Sequence, residues 1–104
     1  MRRTKHDKPG LDTQALGASG LYYLRRLESD AQHPVMAVGE RQAMLVYSSP
    51  HRAQKAASDL GGADIVHEQT PPALFTGLPE GVTHLLLDYD PATGEGWLLG
   101  PEDF

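Results

Sequence analysis

The chain has 104 residues, 39% of them hydrophobic and 22% charged, with a formal net charge of -5 and no cysteine. That length and ordinary globular composition predict one domain rather than two, and the lack of cysteine excludes disulfides, thiolate nucleophiles and zinc ribbons. No apolar run reaches signal-peptide or membrane-span length, so no membrane association and a cytoplasmic location are expected.

The charge is unevenly placed. Arg2, Arg3, Lys5 and Lys8 open the chain, with Arg25 and Arg26 further on, whereas no Lys or Arg occurs from Ala56 onward. That same stretch carries Asp59, Asp64, Glu68, Glu80, Asp88, Asp90, Glu95, Glu102 and Asp103. An acidic body repels phosphate, so nucleic acid is an unlikely partner. The basic leader suits either contact with RNA or an anionic surface, or a disordered tail whose charge aids solubility; the second needs fewer assumptions.

Residues 1–10 read as a disordered basic leader and residues 11–104 as a single α+β domain. Residues 11–19 suggest one helical turn capped by Asp12. Leu21 to Leu27 is ambiguous: Leu24, Leu27 and Ala31 suit a helix face, while Leu21, Tyr23 and the preceding Gly suit a strand. The tyrosines favour the strand. Pro34 to Val38, a turn at Gly39-Glu40-Arg41 and Ala43 to Tyr47 form the pattern of a hairpin.

Ser49 is a good N-cap, and Pro50 takes the first helical position, where its missing N–H costs nothing. Ala53, Ala56, Ala57 and Leu60 then recur at i, i+3, i+4 and i+7, a small-residue stripe able to sit close on a sheet. Gly61 and Gly62 end that helix, and Ala63 to His67 is a short strand. Thr70-Pro71 repeats the cap-then-proline device and opens a short helix through Phe75. Val82 to Tyr89 is a strand whose triple leucine predicts burial on both faces and a central place. Asp90-Pro91-Ala92-Thr93-Gly94 is a turn, Trp97 to Leu99 pairs back, and Gly100 onward looks like a helix start. The expected fold is α+β: a small mixed or antiparallel sheet of about five to six short strands with two short helices packed on it.

Leu87-Asp88-Tyr89-Asp90 places two carboxylates at the mouth of a buried strand, a pattern able to hold Mg²⁺. Little chain follows to supply further ligands, and the Pro and Gly beyond predict that the carboxylates serve the turn. Asp88 and Asp90 are therefore only weak metal candidates. An EF-hand loop starting at Asp88 fails because Ala92 and Leu99 occupy ligand positions. Ser48 and Ser49 lack the flanking glycines of a nucleophile elbow, and capping accounts for Ser49. His6, His33, His51, His67 and His84 show no metal spacing, and His84 lies roughly 13 Å along its strand from Asp88 at ~3.3 Å per residue. No catalytic residue and no cofactor is predicted. Arg52 and Lys55, opposite the alanine stripe, are the candidate binding residues.

The opening Leu21-Tyr22-Tyr23, the hairpin ending in Val46-Tyr47-Ser48-Ser49 before an alanine-rich helix, and Leu85-Leu86-Leu87-Asp88 with its Gly turn and closing Gly100-Pro101-Glu102 form an ordered set. From Leu21 onward, about four fifths of the chain, this order resembles the N-terminal domain of the SseB (enhanced serine sensitivity) family. Tyr47 stands where a phenylalanine is usual, and the family's second half has no counterpart. The resemblance implies a scaffold without an established activity, so it carries no site residue over. A non-enzymatic protein-binding or regulatory module is expected, with another protein or a second copy as partner. The first alternative is a small hydrolase or metal-dependent enzyme using Asp88 and Asp90, separable by whether polar groups converge in a cleft. The second is an RNA-binding accessory protein acting through the leader.

Overall fold

The triple leucine 85–87 and the run Ala43 to Tyr47 meet at the middle of a six-stranded mixed sheet. The structure, a computed structural model, describes residues 13–26 and 33–104. In chain order it contains α1 (Thr13–Ser19), β1 (Leu21–Arg25), β2 (Val35–Val38), β3 (Arg41–Tyr47), α2 (Pro50–Asp59), β4 (Asp64–Glu68), β5 (His84–Asp90) and β6 (Glu95–Leu99), with 3₁₀ segments at Pro71–Thr76 and Pro101–Asp103. The sheet runs β4-β1-β3-β5-β6, with β2 paired to the first half of β3. β3 and β5 are parallel and every other pair is antiparallel. The α+β class and the β2–β3 hairpin expected from the sequence are both present. The leader 1–10 and the cap expected at Asp12 lie outside the described residues.

β1 resolves the ambiguity at residues 21–25 in favour of a strand, and its surroundings explain that ambiguity. Leu21 and Tyr23 join the core on one face of the sheet, Tyr22 and Leu24 the core on the other. A strand covered on both sides shows no polar alternation. The first core gathers Leu21, Met44, Val46, Leu85, Leu87 and Leu99 under Leu16 of α1 and Leu74 of the Pro71–Thr76 segment. Leu21, Leu85 and Leu99 are fully buried, each contributing about 1.5–3 kcal/mol by removal from water. The second core is smaller: Leu24 and Tyr47 beneath Ala53 and Ala57 of α2.

Ser49 caps α2 as expected. Its backbone is extended (φ -141°, ψ 153°) and its Oγ accepts from the Arg52 N–H at 3.3 Å. The stripe is shorter than its spacing suggests. Ala53 and Ala57 are buried and Ala56 half-buried, but Leu60 is 40% exposed. Leu60 is the C-cap, where the chain leaves the helix for a reversal at Gly61 and Gly62 (φ +85° and +118°), so it falls out of the stripe. The short helix after Thr70 is present as a 3₁₀ segment, Pro71–Thr76. Thr70 makes no side-chain cap bond; its N–H donates to Glu68 Oε2 at 3.1 Å, while consecutive prolines at 71 and 72 remove two donors.

The alanines on α2 set how close the helix lies to β1, β3 and β4. Ala53→Leu or Ala57→Leu should therefore destabilise by about 1–3 kcal/mol through overpacking, whereas Leu60→Ala, at an exposed position, should change stability by less than about 1 kcal/mol. Urea denaturation of the three variants checks this, and neutral substitutions at both 53 and 57 would show that α2 does not lie on the sheet through that face.

Candidate functional site

Because β3 and β5 run parallel, their carboxyl ends emerge on the same side of the sheet, at the start of α2. Val46 pairs with Leu87. One residue further on, the β5–β6 ladder is irregular between Leu87 and Asp90, and Asp88 takes a left-handed backbone, φ +53°. Among the described residues it is the one non-glycine with positive φ. The carboxylate that this geometry turns toward β3 accepts two bonds from Ser48: the backbone N–H donates to Oδ1 at 2.9 Å and the hydroxyl to Oδ2 at 2.6 Å. Two bonds to a charged acceptor, about 1.5–3 kcal/mol each, outweigh a left-handed aspartate costing on the order of 1–3 kcal/mol. The Arg52 Nε lies 4.0 Å from Oδ2, with the Asp88 side chain 15% exposed and that of Arg52 60% exposed.

Beside this contact lies a cleft of about 190 Å³. One wall is the face of α2 formed by Arg52, Lys55, Ala56 and Asp59, spaced i, i+3, i+4 and i+7. The other is the segment from Asp88 to Ala92, and Tyr47 contributes from the end of β3. All four residues singled out in the sequence, Arg52, Lys55, Asp88 and Asp90, thus line one cleft. Asp90 opens the turn as expected, its Oδ1 accepting from the Ala92 N–H at 2.9 Å while the Gly94 N–H closes on its carbonyl at 2.7 Å. Asp88 serves no turn; its partner is Ser48, 40 residues earlier. Tyr47, not anticipated as a site residue, has its phenol pKa raised above the usual 10.0 by burial first, and then by the charges of Asp88 and Asp59.

The histidines stand elsewhere. His84 Nε2 accepts from Arg41 at 2.7 Å, since a guanidinium can only donate. His67 stacks on Tyr22 with ring centroids 4.4 Å apart, and His33 Nδ1 donates to the Leu24 carbonyl at 2.9 Å. Among the described residues no imidazole bonds to Ser48, and no three His, Asp or Glu side chains form a group able to hold a metal ion. Nor is any helix there long and apolar enough to cross a membrane.

Asp88→Ala should destabilise by about 3 kcal/mol or more, losing both Ser48 bonds and leaving alanine, which tolerates a left-handed backbone less well than aspartate, at that position. Asp88→Asn should cost less, because asparagine tolerates that backbone and still accepts from Ser48. Thermal denaturation separates them, and equal losses would contradict this account of the bulge. The raised Tyr47 pKa has a definite linkage sign. Below pH 10 the phenol is neutral in both folded and unfolded chains and its contribution is complete. As pH climbs from 10 through the higher folded value, the unfolded chain ionises first and stability falls. Tyr47→Phe should flatten that alkaline loss in urea titrations between pH 9 and about pH 11, and an unchanged slope would count against it.

Comparison of the chain with protein-family models, with curated proteins and with solved structures found no match.

Proposed function

We propose that this chain is a non-enzymatic protein-binding or regulatory module whose docking surface is the cleft between α2 and the β5–β6 turn. One observation carries the reading: Arg52 and Lys55 stand side by side on one wall of a cleft, while the Ser48 hydroxyl donates to Asp88, which lines the other wall. The usual serine-hydrolase arrangement uses an imidazole base oriented by a third group, and among the described residues no imidazole bonds to Ser48. Asp88 is instead held by two bonds from Ser48 itself, and Asp90 is occupied by its turn. This distribution of tasks favours docking over hydrolysis or metal-dependent catalysis by Asp88 and Asp90. The resemblance of the element order to the SseB N-terminal domain supports the same reading. The partner is another protein or a second copy of this chain.

A photo-crosslinking amino acid at position 55, compared with one at the exposed position 76 in the segment over the other face, tests the surface in native lysate. A discrete product is expected from position 55, absent from position 76 and lost on Arg52→Glu. Products of equal yield from both positions, or a product indifferent to Arg52→Glu, would remove the cleft as the docking surface.

A further inference from the structure

Deepening that reading, and resting on it, we infer that the group the cleft recognises is a single carboxylate of the partner, an Asp or Glu side chain, held by the free end of the Arg52 guanidinium with Lys55 beside it. Three features point there. First, Arg52 has a counter-charge on one side. Its Nε faces Asp88 Oδ2 at 4.0 Å, and Asp88 cannot follow a moving arginine because Ser48 holds both of its oxygens, at 2.9 and 2.6 Å. The fixed Asp88 charge therefore attracts the guanidinium from the side of its inner nitrogen, at ion-pair rather than hydrogen-bond distance.

Second, the two terminal nitrogens, Nη1 and Nη2, have no protein partner among the described residues. They present the parallel donor pair that matches the two oxygens of one carboxylate. Lys55 is one turn further along the same wall and forms no ion pair among the described residues. A compact ammonium there adds charge without demanding a geometry.

Third, the remaining charges limit what can enter. Asp59 and Asp90 also line the cleft. A dianion such as phosphate brings a second negative charge against them, and like charges at close range are repelled. A monoanion held bidentately satisfies Arg52 and Lys55 while adding least to that repulsion. Selection here comes from donor geometry rather than from a positive field, which suits a chain of net charge -5. Asp88 and Ser48 are positioning residues in this scheme, acting through Arg52.

Two capped tripeptides, acetyl-Gly-Glu-Gly-amide and acetyl-Gly-Gln-Gly-amide, and inorganic phosphate are titrated into the intact chain while the Arg52 Nε–Hε and Lys55 amide NMR signals are followed. The glutamate peptide should shift both saturably, and the glutamine peptide, of the same shape without the charge, should not. Arg52→Gln and Arg52→Lys should each weaken the glutamate peptide about tenfold or more, because neither offers the fork. Asp88→Asn should weaken it less and leave the Lys55 response in place. Arg52 is exposed and its backbone cap is independent of its side chain, so these variants should keep the wild-type melting temperature. Equal shifts from both peptides, or a response unchanged by Arg52→Gln, would overturn the inference. Stronger binding of phosphate than of the glutamate peptide would overturn it too, in favour of a phosphate ligand. If position 55 still crosslinks a partner in an Arg52-dependent way while the peptides are not distinguished, the carboxylate falls and the docking surface stands. Failure of both removes the docking surface itself.

Discussion

The parallel pairing of β3 with β5, from Ala43 against His84 to Val46 against Leu87, governs the arrangement of everything else. Parallel neighbours cannot be joined by a tight turn, so the chain between them must travel back along the sheet. Here it does so as α2, β4 and the Pro71–Thr76 segment, which lie over or beside β1 and β3. The same constraint makes both strands finish at one edge. Ser48 follows the end of β3 and Asp88 lies near the end of β5, so two residues far apart in the chain come within 2.6 Å. In open sheets the crevice beyond the carboxyl ends of parallel strands is where ligands tend to sit, and the cleft in this chain occupies that place.

The division of the core into two follows from the same sheet. The face under α1 and the Pro71–Thr76 segment carries most of the large aliphatic volume, with Leu21, Leu85, Leu87 and Leu99 at its centre. The face under α2 is thin, built from Leu24, Tyr47 and alanines. A helix that meets its sheet through alanine spends little of its surface on packing. The rest of its circumference is free for charge, and Arg52, Lys55 and Asp59 use it.

The bulge at Asp88 shows how local strain and site geometry are joined. A left-handed aspartate is unfavourable in isolation, and it persists because Ser48 supplies both an N–H and an O–H to the carboxylate so placed. This fixed carboxylate affects its surroundings in two opposite ways. It raises the cost of ionising Tyr47, with burial the larger cause, and it offers Arg52 a nearby counter-charge without enclosing it. The Arg52 contact, at 4.0 Å and largely exposed, contributes little to stability.

Much of the local structure was determined by the sequence alone. The Ser49-Pro50 cap, the Gly61-Gly62 reversal, the hairpin turn and the triple leucine of β5 are signals in which neighbouring residues satisfy one another's backbone groups, so they can be read without knowing the rest of the chain. Arg52 and Lys55 were legible as the outward side of α2 for the same reason. What faces them was not. The place of β1 between two cores hid its alternation, and Leu60 left its stripe because the helix ended one residue before it. Asp88 looked like a turn residue because Asp90, two positions on, is one. Its left-handed backbone and its bond to Ser48 exist only once β3 and β5 lie parallel. A contact across 40 residues leaves no trace in the spacing of either partner, and only the tertiary pairing of strands could decide it.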